Sequence, residues 1–298
     1  MIEEILMYFF NKVMYILNEY KTLNMAYKLV LLLYCFISSF TLSAQTTDSV
    51  IMSIVYTSEY NYSKYRKSDR CDMMRLDIGK RSSHFFSDYF EQKLAKMDSM
   101  NMNGSISIMR LEKETRALEV GQTYGIYKNF PSDGRLTYTE DILDNRFVCE
   151  EDMPQINWSI VEGDTVICGY GCLKAEGELR GRKWNVWFAP EIAVSDGPWK
   201  LCGLPGLILQ AVDTENIFSF RCVGIEKSEG KTLKMVNRKY ERCTPEKLYT
   251  ISTKFLSDPL TYMRDIYGLT IPQEVINQFV PEANAKAKLH FLEYYDKE

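Results

Sequence analysis

Short apolar–polar alternations separated by clusters of turn residues run through most of the chain, and they predict strands. Residues 50–62 (VIMSIVYTSEYNY) alternate from Ile54 onward and give a first strand. Residues 82–90 (SSHFFSDYF) give a second, aromatic one, followed by a polar helix over 91–100 and a loop over 101–107 around Gly104. Strands follow over 124–130, ending in a Pro131-Ser132-Asp133-Gly134 turn, then over 136–139, 146–150 and 157–161. Glu162-Gly163-Asp164 reads as a turn into a further strand over 165–175. In 182–189, Trp184, Val186 and Phe188 share one face and Lys183, Asn185 and Trp187 the other. Residues 207–212 and 217–225 flank Asp213-Thr214-Glu215-Asn216 as a hairpin. Many short strands with regular turn signals mean an antiparallel sheet, sandwich or barrel.

The pattern changes near the end. Thr244 suits an N-cap and Pro245 the first helical position of a helix running to about Leu256. Residues 259–267 and 272–279 predict two more helices, and the tail is amphipathic. The expected class is therefore α+β and β-rich, with C-terminal helices and one domain over 45–298.

The densest local signal lies in 184–210, WNVWFAPEIAVSDGPWKLCGLPGLILQ. Leu204-Pro205-Gly206-Leu207 has Pro at the second and Gly at the third turn position, which is type II turn chemistry. Residues 203–208 spell GLPGLI. With Cys168-Gly169-Tyr170-Gly171-Cys172-Leu173-Lys174-Ala175, Arg180-Gly181-Arg182, Trp187 to Ile192, Ser195 to Trp199 and Asp213, they resemble the GLPGLI family of exported Bacteroidota proteins. The resemblance is strongest over 120–225; Ala193 stands where the family commonly has Pro. It implies a curved antiparallel sheet folded around helices, similar in outline to periplasmic lipoprotein carriers. The family is largely of unknown function, so the resemblance implies no reaction.

The N-terminus bears on location. Met25-Ala26-Tyr27-Lys28, about a dozen apolar residues and Leu42-Ser43-Ala44 read as a secretory signal cut after Ala44. The apolar core is shorter than the roughly 20 residues that span a bilayer, so the expectation is no stable membrane span after cleavage. Tyr34 before Cys35 argues against lipid attachment. Residues 1–24 form an extension, or Met25 is the true start. The expected location is the periplasm or cell envelope.

Composition narrows the partners. The chain is 46% apolar and 13% aromatic with a formal net charge of −4 and no long basic block, so no nucleic-acid partner is expected. Seven cysteines follow Ala44: Cys71, Cys149, Cys168, Cys172, Cys202, Cys222 and Cys243. On one straight strand Cys168 and Cys172 would lie about 13 Å apart, too far to bridge. Cys202 and Cys222 flank the hairpin near Thr214 and are the expected disulfide. With no C-x-x-C, redox catalysis is not expected.

Two histidines, His84 and His290, lie outside the 184–210 block, and packing roles are expected for both. Met97, Met100 and Met102, with Met73, Met74 and Met109 nearby, read as core or interface filling, or as a Cu(I) site. Glu150-Glu151-Asp152 reads as a solvated strand end, with a carboxylate pair or a calcium site as alternatives. Neither cofactor nor metal is expected.

All four tryptophans fall between 158 and 199, beside the Pro-Gly turn. Either the turn completes the core, or Trp187, Trp199, Leu204, Pro205, Gly206 and Leu207 form a binding surface for an apolar small molecule or an envelope protein. With no acid, base or nucleophile assembled there, the expected function is non-catalytic binding. The rivals are a hydrolase using carboxylates such as Glu191 and Asp196, and a copper-binding accessory protein.

Overall fold

The computed structural model describes residues 48–61, 70–101, 121–228, 230–235, 238–270, 272, 274 and 289–295, all within the compact unit Thr47–Glu298. The signal segment, the loop over 101–107 beyond Asn101, Met102, Met109 and nearly all of the expected helix over 272–279 lie outside the described residues.

Thirteen strands form one large, curved, open sheet. They are β1 (Asp48–Tyr60), β2 (Arg70–Gly79), β3 (Ser83–Ser87), β4 (Tyr124–Lys128), β5 (Arg135–Ile142), β6 (Asn145–Asp152), β7 (Ser159–Ile167), β8 (Tyr170–Leu179), β9 (Arg182–Ala189), β10 (Leu207–Asp213), β11 (Phe218–Lys227), β12 (Thr232–Leu233) and β13 (Glu241–Arg242). The spatial order is β13-β6-β5-β4-β3-β2-β1-β11-β10-β9-β8-β7, with β12 on β1. Every pairing is antiparallel except the short β13–β6 contact. Helix α1 (Asp88–Asn101) follows β3, and α2 (Pro245–Ser257) and α3 (Pro259–Tyr267) close the helical end. The expected class, β-rich α+β with C-terminal helices, is the observed one.

The alternating strands bury one face as their pattern requires. Trp184, Val186 and Phe188 of β9 are buried against Ile54, Tyr56, Phe85, Phe218 and Phe220, while Lys183 is exposed. Thr244 caps α2 by accepting the Lys247 amide (3.3 Å), with Pro245 in the first turn.

Four expectations need correction. Strand β2 was not anticipated; it sends Met74, Leu76 and Ile78 into the core, so Met74 is packing rather than part of a metal cluster. The strand expected over 82–90 stops at Ser87, whose hydroxyl accepts the Phe90 amide (3.1 Å) and starts α1. Gly163 is not a turn but part of an irregularity within β7, where the register shifts between Val161 and Asp164. The hairpin reverses instead at Cys168-Gly169, both with positive φ (50° and 85°), the signature of a two-residue type I′ loop. Cys168 is therefore not on one straight strand with Cys172.

The fourth concerns the Pro-Gly turn. The Leu207 amide donates to Ile192 O (3.1 Å) and the Gly206 amide to Leu204 O (2.9 Å), so Pro205 centres a tight three-residue turn rather than a type II turn. A Cβ on Gly206 would sit 2.4 Å from Ala189 O, so only glycine lets the two backbones pass this closely. Leu204 and Leu207 are buried and Pro205 is exposed. The leucines on either side of the turn face the core while Pro205 at its centre faces solvent.

Candidate functional site

Tyr60 of β1, residues 121–124, β5 and β6, the Trp199-Lys200 turn, α2 and residues 291–295 line a partly open cavity of about 320 Å³. Opposed residues of an antiparallel pair share a face. The β5–β6 register pairs Tyr138 with Cys149, Leu136 with Glu151 and Glu140 with Phe147, so the cavity-lining Tyr138, Glu140, Cys149 and Glu151 all point to one side. Glu150 and Asp152 point away, to Arg242 (2.7 Å) and Arg135. The acidic run is thus not one solvated end: its middle member turns inward.

Helix α2 supplies Leu248, Tyr249, Ser252, Phe255 and Leu256 to the opposite wall. Residues 291–295 add Phe291, Leu292, Glu293 and Tyr295, and they are tied to the β8–β9 turn by the Tyr294 amide on Arg180 O (3.1 Å). Trp199 and Lys200 come from a turn closed by the Leu201 amide on Pro198 O (3.1 Å). Trp199 holds φ 51° there, a conformation costly for a bulky side chain. Burial of its indole against Trp184 (5.8 Å between rings) offsets that cost.

At one end of the cavity, two carboxylates and two cations neutralise one another. Lys200 Nζ donates to Glu151 (2.6 Å) and Glu293 (2.5 Å), and Arg180 donates to Glu151 (2.5 Å), Glu293 (2.8 Å) and the Tyr295 hydroxyl. Arg180 reaches them from the first position of a second type I′ loop, Arg180-Gly181, with φ 44° and 77°. Burial alone would raise the Glu151 carboxyl, but Lys200 and Arg180 outweigh it and hold it below its usual range. Burial lowers Arg180, yet Glu293 and Glu151 raise it well above its usual value.

Glu140 is different. It accepts from the hydroxyls of Tyr138 and Thr123 (2.9 Å to the latter) and has no cation against it among the described contacts. Burial raises it to about 7; the two hydroxyls lower it but do not cancel that effect, and Asp141 adds to it. A carboxyl in this state holds a proton over much of the neutral range.

Of the binding residues expected from the sequence, only Trp199 lines this cavity. Leu204, Gly206 and Leu207 are buried elsewhere in the core, Pro205 is exposed, and Trp187 is half-buried on the outward face of β9 with Lys174 6.0 Å from its ring. Glu191 is exposed, whereas Asp196 is buried and accepts from Lys128, Ser83 (2.5 Å) and the Gly197 amide (2.7 Å). They do not share a pocket.

Cys202 and Cys222 are not brought together. The Cys202 thiol faces Pro154 O (3.9 Å), while Cys222 lies against Cys168. His84 stacks on Tyr127 (3.9 Å) and Phe86 (4.5 Å), and burial lowers it to about 3, aided by Lys231. His290 is buried, and neither histidine lines the cavity. Among the described residues no group of three His, Cys, Asp or Glu is placed to hold a metal ion, and no helix is long and apolar enough to cross a membrane.

No protein-family model and no curated protein matches the chain. Among solved structures it resembles PNGF-II in space group P21 (TM-score 0.46, 12% identity, 70% of this chain and 34% of that one). It also resembles PNGF-II in space group C2 (TM-score 0.43, 11% identity, 68% of this chain and 32% of that one). The chain thus spans about a third of the length of those proteins, and a likeness this low carries no argument about fold or activity.

Proposed function

We propose that the chain is an exported, non-catalytic envelope protein of the GLPGLI type that holds a small, largely apolar molecule in the cavity between β4–β6 and α2. The observation that carries this reading is the cavity's lining. Tyr60, Tyr124, Trp199, Phe255, Leu256 and Phe291 offer aromatic and aliphatic walls, and the ion group at one end is satisfied internally. About 320 Å³ is on the scale of small-molecule sites. Glu140, away from the neutralised ion group, offers a polar contact beside these walls, with Gln122, Thr123 and Ser252 also on the lining, which suits a ligand with an apolar body and a hydrogen-bonding end. Burial of Leu204 and Leu207 favours the cavity over the Pro-Gly turn as the place where an apolar molecule is held.

Uptake of the neutral fluorescent probe N-phenyl-1-naphthylamine, with native mass spectrometry of freshly purified protein, tests the reading. Probe uptake by the wild type and its loss in Leu256→Trp, which fills the cavity, is the expected result. No uptake by the wild type and no retained mass overturns it.

A second reading, a hydrolase, draws support from Glu140 alone, since a carboxyl titrating near 7 suits general acid–base work. Turnover of ester or glycoside substrates that vanishes in Glu140→Gln would favour it over binding.

A further inference from the structure

Seven free thiols lie among the described residues, and four of them fall into two close pairs. Cys243 directly follows β13, whose Glu241 and Arg242 run parallel to Phe147 and Val148 of β6. Its amide donates to Val148 O (3.0 Å), which sets it beside Cys149 on the neighbouring strand. Adjacent strands lie about 4.8 Å apart, inside the span a disulfide bridges. The two sulfurs are 3.2 Å apart. The second pair arises from the displaced β7–β8 turn. Cys168, held at φ 50°, aims its sulfur back at β11, where it lies 3.6 Å from that of Cys222.

We propose that Cys149–Cys243 and Cys168–Cys222 are the disulfide partners of this chain, and that the first fastens the start of α2 to the sheet wall of the cavity. Cys149 lines that cavity, and Cys243 immediately precedes the cap of α2. The assignment rests on thiol placement and holds whether or not the cavity takes a ligand.

Each pair joins one accessible and one buried thiol: Cys243 is half-exposed and Cys149 buried, Cys168 exposed and Cys222 buried. That arrangement sets the order of chemistry. The accessible cysteine, as thiolate, attacks one sulfur of an external disulfide such as oxidised glutathione and expels one glutathione thiolate. The buried cysteine then loses its proton and attacks the protein sulfur of the mixed disulfide, expelling the second thiolate. Two cysteine thiols have lost two electrons and two protons; the glutathione disulfide has gained the electrons and leaves as two thiols. Burial raises the thiols of Cys149 and Cys222, so the second step speeds up with pH.

The other three thiols are placed differently. Cys202 faces Pro154 O (3.9 Å), Cys172 faces Tyr170 O (3.4 Å), and Cys71 is exposed. Cys172, four residues after Cys168 in the same hairpin and buried, is the rival for Cys222.

The test is to equilibrate the purified full chain with oxidised glutathione, quench with acid, alkylate, digest without reduction and sequence the linked peptides. Joined peptides carrying Cys149 with Cys243 and Cys168 with Cys222 are expected, with Cys71, Cys172 and Cys202 alkylated. Recovery of either pair as alkylated thiols, or Cys222 joined to Cys172 or Cys202, overturns the assignment. Cys243→Ser supplies an independent readout. Wild type should show a higher Tm oxidised than reduced, and the variant a smaller difference; an unchanged difference also overturns the first bond.

Discussion

Lys128 of β4 donates to the Asp196 carboxylate, 68 residues further on, and both are buried. The same ammonium donates to Gly197 O (2.5 Å) and Leu201 O (3.4 Å), so one side chain anchors the whole loop that precedes the Pro-Gly turn. Ser83 supplies a further donor to Asp196 (2.5 Å). A carboxylate so fully engaged in the core is structural.

Removing one member of such a pair strands the other charge, at a cost of about 3–5 kcal/mol. Lys128→Met should lower the midpoint of urea unfolding accordingly. The double variant Lys128→Met/Asp196→Asn should recover part of that loss. If the single variant unfolds like wild type, the pair contributes nothing.

Glu140 gives a pH dependence of opposite sign to the usual carboxylate. Its folded value of about 7 lies above the ordinary 4.5, so the folded chain holds this proton more tightly than the unfolded chain does. Its contribution is therefore complete below 4.5 and is lost as pH rises to about 7. Glu140→Gln should remove that slope and raise stability at pH 8 by roughly 1–3 kcal/mol. Unfolding curves between pH 4 and 8 show it; a slope unchanged in the variant means Glu140 is not the group responsible.

Glu151 behaves the other way. Lys200 and Arg180 hold its carboxyl below 4.5, so its contribution is present above that value and declines as pH falls beneath it. Lys200→Met leaves Glu151 and Glu293 facing Arg180 alone, and should cost about 3 kcal/mol at pH 7. The loss should shrink as the medium is acidified toward pH 4, which thermal unfolding across that range will reveal.

Much of the β framework is legible in the chain because alternation is a local property. Residues 182–189 declare their buried face through Trp184, Val186 and Phe188, and Thr244-Pro245 declares a helix start. The β7–β8 reversal was misplaced because Glu162-Gly163-Asp164 carries turn-like residues, whereas Cys168 is an unfavourable choice for the positive φ it adopts. Register between strands, a non-local property, decided for Cys168. The cavity was illegible for the same reason: Glu151, Arg180, Lys200 and Glu293 come from four segments with no common spacing. Only Glu151 had a signal, since period-two alternation within Glu150-Glu151-Asp152 already turns the middle residue to the Cys149 side.

The Pro-Gly turn offers the sharpest steric test. Gly206→Ala would place a methyl 2.4 Å from Ala189 O, a backbone atom that cannot swing aside. The expected cost is about 3 kcal/mol or more. Pro205→Ala, at an exposed site, should cost under about 1 kcal/mol. Urea titration of the two variants distinguishes a tight backbone crossing from a generic turn.

The quartet around Lys200 makes the end of the chain a condition of its charge balance. Without Glu293, Lys200 and Arg180 share Glu151 alone. Arrival of the final strip of chain cancels the surplus and seats Phe291 against Tyr249 (4.9 Å). A molecule cut short before residue 293 would carry two cations against one carboxylate beside a hollow lacking Phe291 and Leu292.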